Sequence, residues 1–446
     1  MGEFRMKMKK AASILFAASL TVAGLAACST GNKDQSSGTD KNGVTTIEFW
    51  AAPNPTQQVY WKEVAEEFTK ENPKIKVNVS PMKESPTSEA SIQSAIAGGS
   101  APTISENINR GFAAQLSESK ALVALDELEG WDEVKESRNM NETMKGWEFA
   151  DGHQYVLPIY SNAMLFGWRL DILKELGYNE PPKTYSEMLD VAEKLKAKYP
   201  DKYLWAKADL ADPTAWKRWF DFFMLYDAAS NGNKFVEGTK FTGEEKAGEQ
   251  VLGLMDDLRK ADALLTRQSK DPFESGLGIF VDVGPWTIPY WAEKFPELKF
   301  NETFTLAAPP VPDGMDTENV KTFADTKGLV IYASATKEQQ KAAMEFINWV
   351  YANPENDVKW LEKTSLPPAR DDLTSNDAFK AFFDKNPALQ PYAAAVPNGI
   401  PPMDNSKYND IQTFIGQHAF NPVVKGEKDP KTGWKDMQKA IEGALK

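Results

Sequence analysis

The chain reads as an α/β protein of two lobes, joined by three interlobe crossings around a central ligand cleft. Three observations predict this. Near the N-terminus a strand, a helix and a second strand follow one another, the order of a βαβ unit. Roughly 400 residues lie beyond the leader, too many for one hydrophobic core and enough for two lobes. Proline marks three short segments, near 158, at 309–314 and at 366–370, where regular patterning breaks off.

Residues 1–28 read as an export leader. Arg5, Lys7, Lys9 and Lys10 form a basic start (Met6 or Met8 can serve as the natural first residue). Residues 11–25 are a largely apolar run, too short to cross a bilayer as a stable helix. Leu25-Ala26-Ala27-Cys28 then sets small residues before the chain's single cysteine, which has no internal disulfide partner. The pattern resembles a bacterial lipobox, with Cys28 as the lipidated residue. An ordinary cleaved signal with an incidental cysteine is the plainer alternative. Residues 29–43 hold no apolar side chain and read as a flexible tether. A lipid anchor on such a tether keeps a domain at a membrane without inserting it, and no later segment is long and apolar enough to span.

The elements follow in order. Ile47 and Phe49 share one phase of a strand over 44–50. Tyr60, Val64 and Phe68 recur at helical spacing over 56–72, and Pro73 closes that helix. Residues 74–79 alternate as a second strand, 86–97 form a helix ended by Gly98-Gly99, and 101–105 form a third strand. The loop at 105–110 then lies at a carboxyl edge, where ligands of open α/β sheets sit. Trp50 falls on the same rim. Residues 151–162 run from a Gly turn through a short apolar strand to Pro158, delivering Tyr160, Ser161 and Asn162 to the cleft; a surface hairpin is the bland alternative.

Helices follow over 169–177, from a capping box at Thr184, and from a second box at Thr242. Between them 213–223 is strongly aromatic, with Trp216 and Trp219 three apart on one helical face; core packing is the alternative role for that pair. A strand over 278–283 stops at Gly284-Pro285 and carries Trp286 at its tip. A strand over 304–308 runs into the proline-dense 309–314. A strand at 328–332 precedes a helix from Thr336 to Ala352, with Gln339 completing its capping box; further helices close the chain. No internal repeat or heptad array is present.

Composition narrows the function. The formal charge is −13; the leader's four basic residues against Glu3 contribute +3, leaving −16 for the remainder. Nucleic acids and anionic polymers need basic grooves and are excluded as ligands. Thirteen tryptophans supply flat apolar faces of the kind a sugar site uses. An extracytoplasmic glycoside hydrolase would also use carboxylates and tryptophans. Yet the sequence has no Gly-x-Ser-x-Gly, no His-Glu-x-x-His and no Walker A motif. With His153 and His418 alone, a histidine triad or a multi-histidine metal site lacks material, and His153 reads as a turn residue. No enzyme activity, cofactor or metal is expected. A binding protein for a non-sugar solute is the main rival, and a purely structural surface lipoprotein would not need the repeated crossovers.

These motifs, in this order, resemble the extracellular solute-binding proteins of bacterial carbohydrate ABC transporters, the group that includes maltodextrin-binding proteins. The resemblance covers the chain beyond the leader. It rests on the lipobox, Phe49-Trp50, the Gly152–Pro158 crossover, Phe280 through Trp286, Ala307 through Gly314, Thr326-Lys327-Gly328-Leu329 and Leu366 through Arg370. It implies a periplasmic-binding-protein-like fold whose lobes, 44–158 with 312–364 and 159–311 with 365–446, close on an oligosaccharide by hinge motion. A membrane permease would read the closed form, and the protein would act as a monomer. Where relatives have Tyr-Tyr-Asn after the first crossing, this chain has Phe166-Gly167-Trp168-Arg169, so Trp168 is assigned to the core instead.

Matched by motif, the resemblance assigns ligand contacts to Trp286 and Asn162 first. Glu106, Asn107 and Arg110 follow from the N-lobe loop, and Trp50, Asn54 and Gln57 from the first strand–helix junction. Tyr160 and Ser161 come with the crossover. Trp205, Trp216, Trp219 and Tyr408 are further aromatic candidates; Asp282, Lys327 and Arg370 are polar ones, with an interlobe ion pair as the alternative role for Arg370.

Overall fold

Period-two alternation around Ile47, Phe49, Val77 and Val79 makes two adjacent strands. The helix between them, Pro55–Glu71, buries Tyr60, Trp61, Val64 and Phe68 against their sheet. The computed structural model describes residues 38–85, 87–213 and 215–446, without the side chains of 215–217. Cys28, the leader and the start of the tether lie outside the described residues.

In chain order the strands are β1 (Thr45–Ala51), β2 (Ile75–Pro81), β3 (Ile104–Ile108), β4 (Leu157–Ala163), β5 (Leu165–Trp168), β6 (Tyr203–Ala206), β7 (Val236–Glu237), β8 (Lys240–Phe241), β9 (Leu264–Leu265), β10 (Gly278–Val283), β11 (Thr305–Ala307), β12 (Thr322–Ile331) and β13 (Gly399–Ile400). One sheet has the order β13-β12-β3-β1-β2, with β4 also paired to β12. The second has the order β11-β5-β10-β6-β9, and β7 with β8 is a separate hairpin. β1 lies parallel between β2 and β3, as the βαβ reading requires.

Each sheet has its own aromatic core. Phe49 meets Trp61 edge-on at 4.7 Å between ring centres, and Tyr60 meets Trp360 at 5.2 Å. In the other core Phe166 stacks on Phe280 at 4.2 Å, and Trp205 approaches Phe280 edge-on at 4.9 Å. Trp168 is fully buried there, as assigned. The capping boxes at Thr184 and Thr336 both form. The one expected at Thr242 does not. Its hydroxyl donates to the carbonyl of Lys234, and the following helix starts at Glu245 without a side-chain cap.

The crossings lie side by side. β4 leaves the first sheet at Ala163 and β5 joins the second at Leu165, with Met164 between. β12 brings the chain back from β11 and pairs antiparallel with β4. The segment around Pro368 covers the other edge of β4: Ser161 N–H donates to Pro367 O, and Ala369 N–H to Ile159 O, each at 3.0 Å. Pro158 does not stop this strand. It sits inside β4, where the ladder to β12 slips register between Lys327 and Gly328 and needs no proline N–H. Gly328 permits that approach, since a Cβ there would lie 2.2 Å from Leu157 O.

Behind the crossings Arg138 is completely buried. Its guanidinium donates to Pro158 O at 2.6 Å and Ile159 O at 2.5 Å, and pairs with Asp357 at 2.9 Å. Asp357 also takes Arg370 at 3.1 Å, and Arg370 grips Asp372 through two bonds of 2.8 and 2.9 Å. Removing one member of a buried charge network strands the others, at about 3–5 kcal/mol. Asp357→Ala is therefore expected to lower the free energy of unfolding by that order in urea titration, while Lys380→Ala, which breaks an exposed pair with Asp384, changes it by less than about 0.5 kcal/mol. An unchanged midpoint for Asp357→Ala would show the network to be energetically idle.

Candidate functional site

β12 organises the site because its side chains alternate. Phe323, Asp325 and Lys327 project to one face, and across the antiparallel ladder Asn162 stands opposite Asp325 and Tyr160 opposite Lys327. Ser161 and Thr326 occupy the other face, their hydroxyls 3.4 Å apart. Asn162 is buried, and its Oδ1 has no hydrogen-bond partner. Tyr160 is also buried, its ring stacked on Trp360 at 6.0 Å.

The first lobe contributes the junctions after β1 and β3. Trp50 is partly buried near the end of β1. Asn54 is exposed and caps the helix, its Oδ1 accepting the Thr56 N–H at 3.0 Å. Gln57 and Glu106 form an interior pair. Glu106 Oε1 accepts from Gln57 Nε2 at 3.1 Å and Oε2 from Ala52 N–H at 2.7 Å, and Glu106 has no exposed surface. Glu106 and Asn107 therefore belong to β3, not to a loop as the sequence suggested. Polar residues can occupy this strand because their partners arrive from the β1 junction, which sequence spacing does not reveal. Asn107 adopts a left-handed backbone with φ of 66°.

Arg110 opens the next helix with 4% exposure. It donates to Glu148 O at 2.5 Å and pairs with Asp404 at 3.4 Å, so it reaches from the first core to a segment packed on the second. Its Nε–H has no partner. Tyr408 makes a similar reach: its hydroxyl donates to Glu89 Oε1 at 2.9 Å, and its ring lies over Gly111, where a Cβ would meet it at 2.6 Å.

The second lobe contributes the carboxyl ends of β6 and β10. Asp282 pairs with Lys207 at 2.7 Å, and Lys207 also donates to Phe220 O at 3.1 Å. Trp286 is 42% exposed, with its ring over Gly284 and edge-on to Phe220 at 6.4 Å. Trp219 stacks on Phe323 of β12 at 4.8 Å, joining the second core to the crossing. The side chain of Trp216 lies outside the described residues. Trp205 is 0% exposed inside the second core, and Arg370 serves the hinge network, so neither reaches open space in this conformation. Lys207, Asp325 and Asp404 were not singled out from the sequence; the period-two phase of 322–331 could have found Asp325 beside Lys327.

Complete burial pushes the Glu106 carboxyl up to about 7, against the Ala52 N–H bond and the nearby Lys327 charge, which both favour ionisation. Folded Glu106 keeps a proton that the unfolded chain has lost above about 4.5. Its contribution to stability therefore falls as pH rises from about 4.5 through about 7 and is level beyond. Glu106→Gln, with the Gln57 amide turned over, is expected to remove this slope and to gain roughly 1–3 kcal/mol on wild type at alkaline pH. Urea titrations at pH 5 and pH 8 check it; parallel pH curves for the two proteins would refute the assignment.

Comparison with known proteins places this geometry. The chain is similar to the sn-glycerol-3-phosphate-binding periplasmic protein UgpB of Escherichia coli K12, 25% identical over 429 residues that cover 90% of this chain and 91% of that one. Its structure is similar to that of an uncharacterized protein, lmo0859, of Listeria monocytogenes EGD-e, at 60% identity and a TM-score of 0.89, covering 90% of this chain and 100% of that one. It shares a fold with the cyclic α-maltosyl-1,6-maltose binding protein of Arthrobacter globiformis, at 16% identity and a TM-score of 0.76 over 90% and 99% of the two chains. A family model matches residues 63–391, and with its two-lobed α/β fold the chain belongs to the bacterial extracellular solute-binding proteins.

Proposed function

We propose that the protein captures a neutral sugar, an oligosaccharide by preference, and delivers it to the permease of an ABC importer without transforming it. Residues 44–158 with 312–364 would close on 159–311 with 365–446 by bending at the three adjacent crossings. Cys28 would hold the monomer at the outer face of the cytoplasmic membrane through a lipid.

One observation carries the reading: the cations around the cleft stand against carboxylates, while aromatic rings are the surfaces left open. Arg110 faces Asp404 and Lys207 faces Asp282. Lys327 acts on both Glu106 and Asp325. Such a site offers little surplus positive charge to a phosphate ester, the ligand named for the Escherichia coli relative. Trp50, Trp219 and Trp286 suit the C–H faces of sugar rings, and Asn162 Oδ1 suits a hydroxyl. The Arthrobacter protein of the same fold is named for a glucose oligosaccharide, which agrees with this choice.

A thermal-shift screen of malto-, xylo- and cello-oligosaccharides alongside sn-glycerol 3-phosphate tests the reading, since a ligand that binds only the folded state raises Tm. One sugar series is expected to raise it. A rise with glycerol phosphate alone would replace the sugar reading, and a flat response to every sugar would sink it. With the sugar in hand, Asn162→Ala is expected to weaken binding by about tenfold or more in calorimetry, with the unliganded Tm lowered only slightly. Unchanged affinity would remove Asn162 from the site.

A further inference from the structure

A cavity of about 240 Å³ opens where the two lobes meet beside Arg110. It is small against the roughly 300–1,000 Å³ of drug-sized sites, so it has room for one compact group and not for a chain. Arg110 and Lys145 line it from the first lobe, and Trp219, Phe223 and Asp227 from the second. Phe323 of β12 forms its base.

Two polar groups in this apolar lining lack partners. Phe223 and Asp227 lie one turn apart on the helix Phe222–Ala229, and Trp219, in the short 3-10 turn before it, packs on Phe223 and stacks on Phe323 of β12, each at 4.8 Å. Asp227 is 4% exposed, and among the described residues no hydrogen bond or ion pair reaches its carboxyl. The buried Nε–H of Arg110 is the second. Native interiors satisfy nearly all such atoms, so two of them around one cavity point to a ligand that supplies the missing bonds.

The kind of ligand follows from charge. Arg110 is matched by Asp404, and Lys145 and Lys234 at the rim are matched by Glu142 and Glu237. Burial with no cation beside it drives the Asp227 carboxyl well above its ordinary range, towards a neutral group that both donates and accepts. A cationic amine would need that carboxyl charged, against its burial. An anion would meet an Arg110 already paired. A hydroxylated neutral group fits both constraints.

We propose that this cavity is a terminal subsite for one neutral hydroxylated unit, a single sugar ring or polyol end. The Asp227 carboxyl and Arg110 Nε–H bond its hydroxyls, and Trp219 with Phe323 walls its apolar edge. The inference rests on the sugar reading above and extends it. Phe323 and Lys327 lie on the same face of β12, about 13 Å apart along the strand. A ligand filling the cavity and reaching the Lys327–Asn162 centre is therefore longer than one ring.

The test uses the longest sugar that raises the wild-type Tm and the same sugar one unit shorter, with calorimetry on wild type, Asp227→Asn and Asp227→Leu. Asp227→Leu is expected to lose about tenfold in affinity for the longer sugar and to match wild type on the shorter one. Asp227→Asn, which keeps a neutral donor and acceptor, should stay within about threefold of wild type on both. Tm values without ligand confirm that each variant is folded. Equal losses on both sugars would make Asp227 a general support of closure and overturn the subsite, as would no loss on either. Should Asp227→Leu fail to fold, Asp227→Ala takes its place with the same expected and overturning results, and a tenfold loss for Asp227→Asn on the longer sugar overturns the neutral-ligand assignment. A wild-type protein that binds no sugar removes the reading beneath, a result distinct from either variant pattern.

Discussion

The hinge depends on one buried guanidinium. Arg138 donates to the carbonyls of Pro158 and Ile159 where the ladder to β12 slips register, adding to the bond that Ile159 O accepts from Ala369 N–H. Its charge is tolerated only because Asp357 answers it, and Asp357 is kept in place by Arg370 from the third crossing. A lone ion in such an interior would cost several kcal/mol; a network in which each guanidinium is bonded to carboxylates removes much of that penalty. The first and third crossings are thus fixed to the same acid, and β12 is fixed to both through β4. The connections leave the first lobe together, as a ribbon of β4 and β12 with the Pro368 segment bonded along the other edge of β4.

That ribbon also explains where the recognition groups sit. One face carries Tyr160, Asn162, Phe323, Asp325 and Lys327, all placed by strand periodicity, with Tyr160, Asn162 and Phe323 buried and Asp325 and Lys327 partly exposed. A binding face built on hydrogen-bonded strands holds its groups more firmly than loops can. The lobes then add what the ribbon lacks: the aromatic surface of Trp286 and Trp219 from one side, and Trp50 and Arg110 from the other. Arg110 and Lys207 are each paired with an acid, in a chain of net charge −13, which leaves little surplus positive charge there. This suits hydroxyl-bearing ligands and disfavours anions without any steric exclusion.

Much of the fold was legible in the sequence, because its signals are local. Tyr60, Val64 and Phe68 mark their helix, the capping boxes at Thr184 and Thr336 mark theirs, and strand alternation gives the βαβ start. The errors arise where distant partners decide. Glu106 looks like a loop residue until Gln57 and Ala52 are brought against it. Thr242 looks like a cap until Lys234 O takes its hydroxyl. Trp205 looks like a sugar platform until Phe166 and Phe280 enclose it. Arg138 carried no signal at all, since one arginine in a polar stretch gives no hint of the carbonyls and acids that surround it. Asp227 was hidden differently: in a run of Phe, Met, Leu and Tyr it reads as an interruption of a core helix, although Phe223 stands one turn before it and Trp219 packs on Phe223 from the turn that precedes the helix.

Arg110 links recognition to lobe position. Its ion pair with Asp404 joins the first core to a segment packed on the second, and the residue lines the cavity between them with an unpartnered Nε–H. Tyr408 and Glu89 form a second contact between the same parts of the chain, seated against Gly111 one residue beyond Arg110. Contacts that form on closure stabilise the closed arrangement by themselves, and a ligand can shift the balance only by what it adds to that arrangement alone. A group that bonds Arg110 Nε adds such a term, because the site it completes is built from both lobes. A contact to Trp286 alone adds none, since that ring belongs to one lobe in either arrangement. In the proposed closure, bonds at the Arg110 end of the cleft would favour the closed arrangement, and contacts at the Trp286 end would add affinity without it.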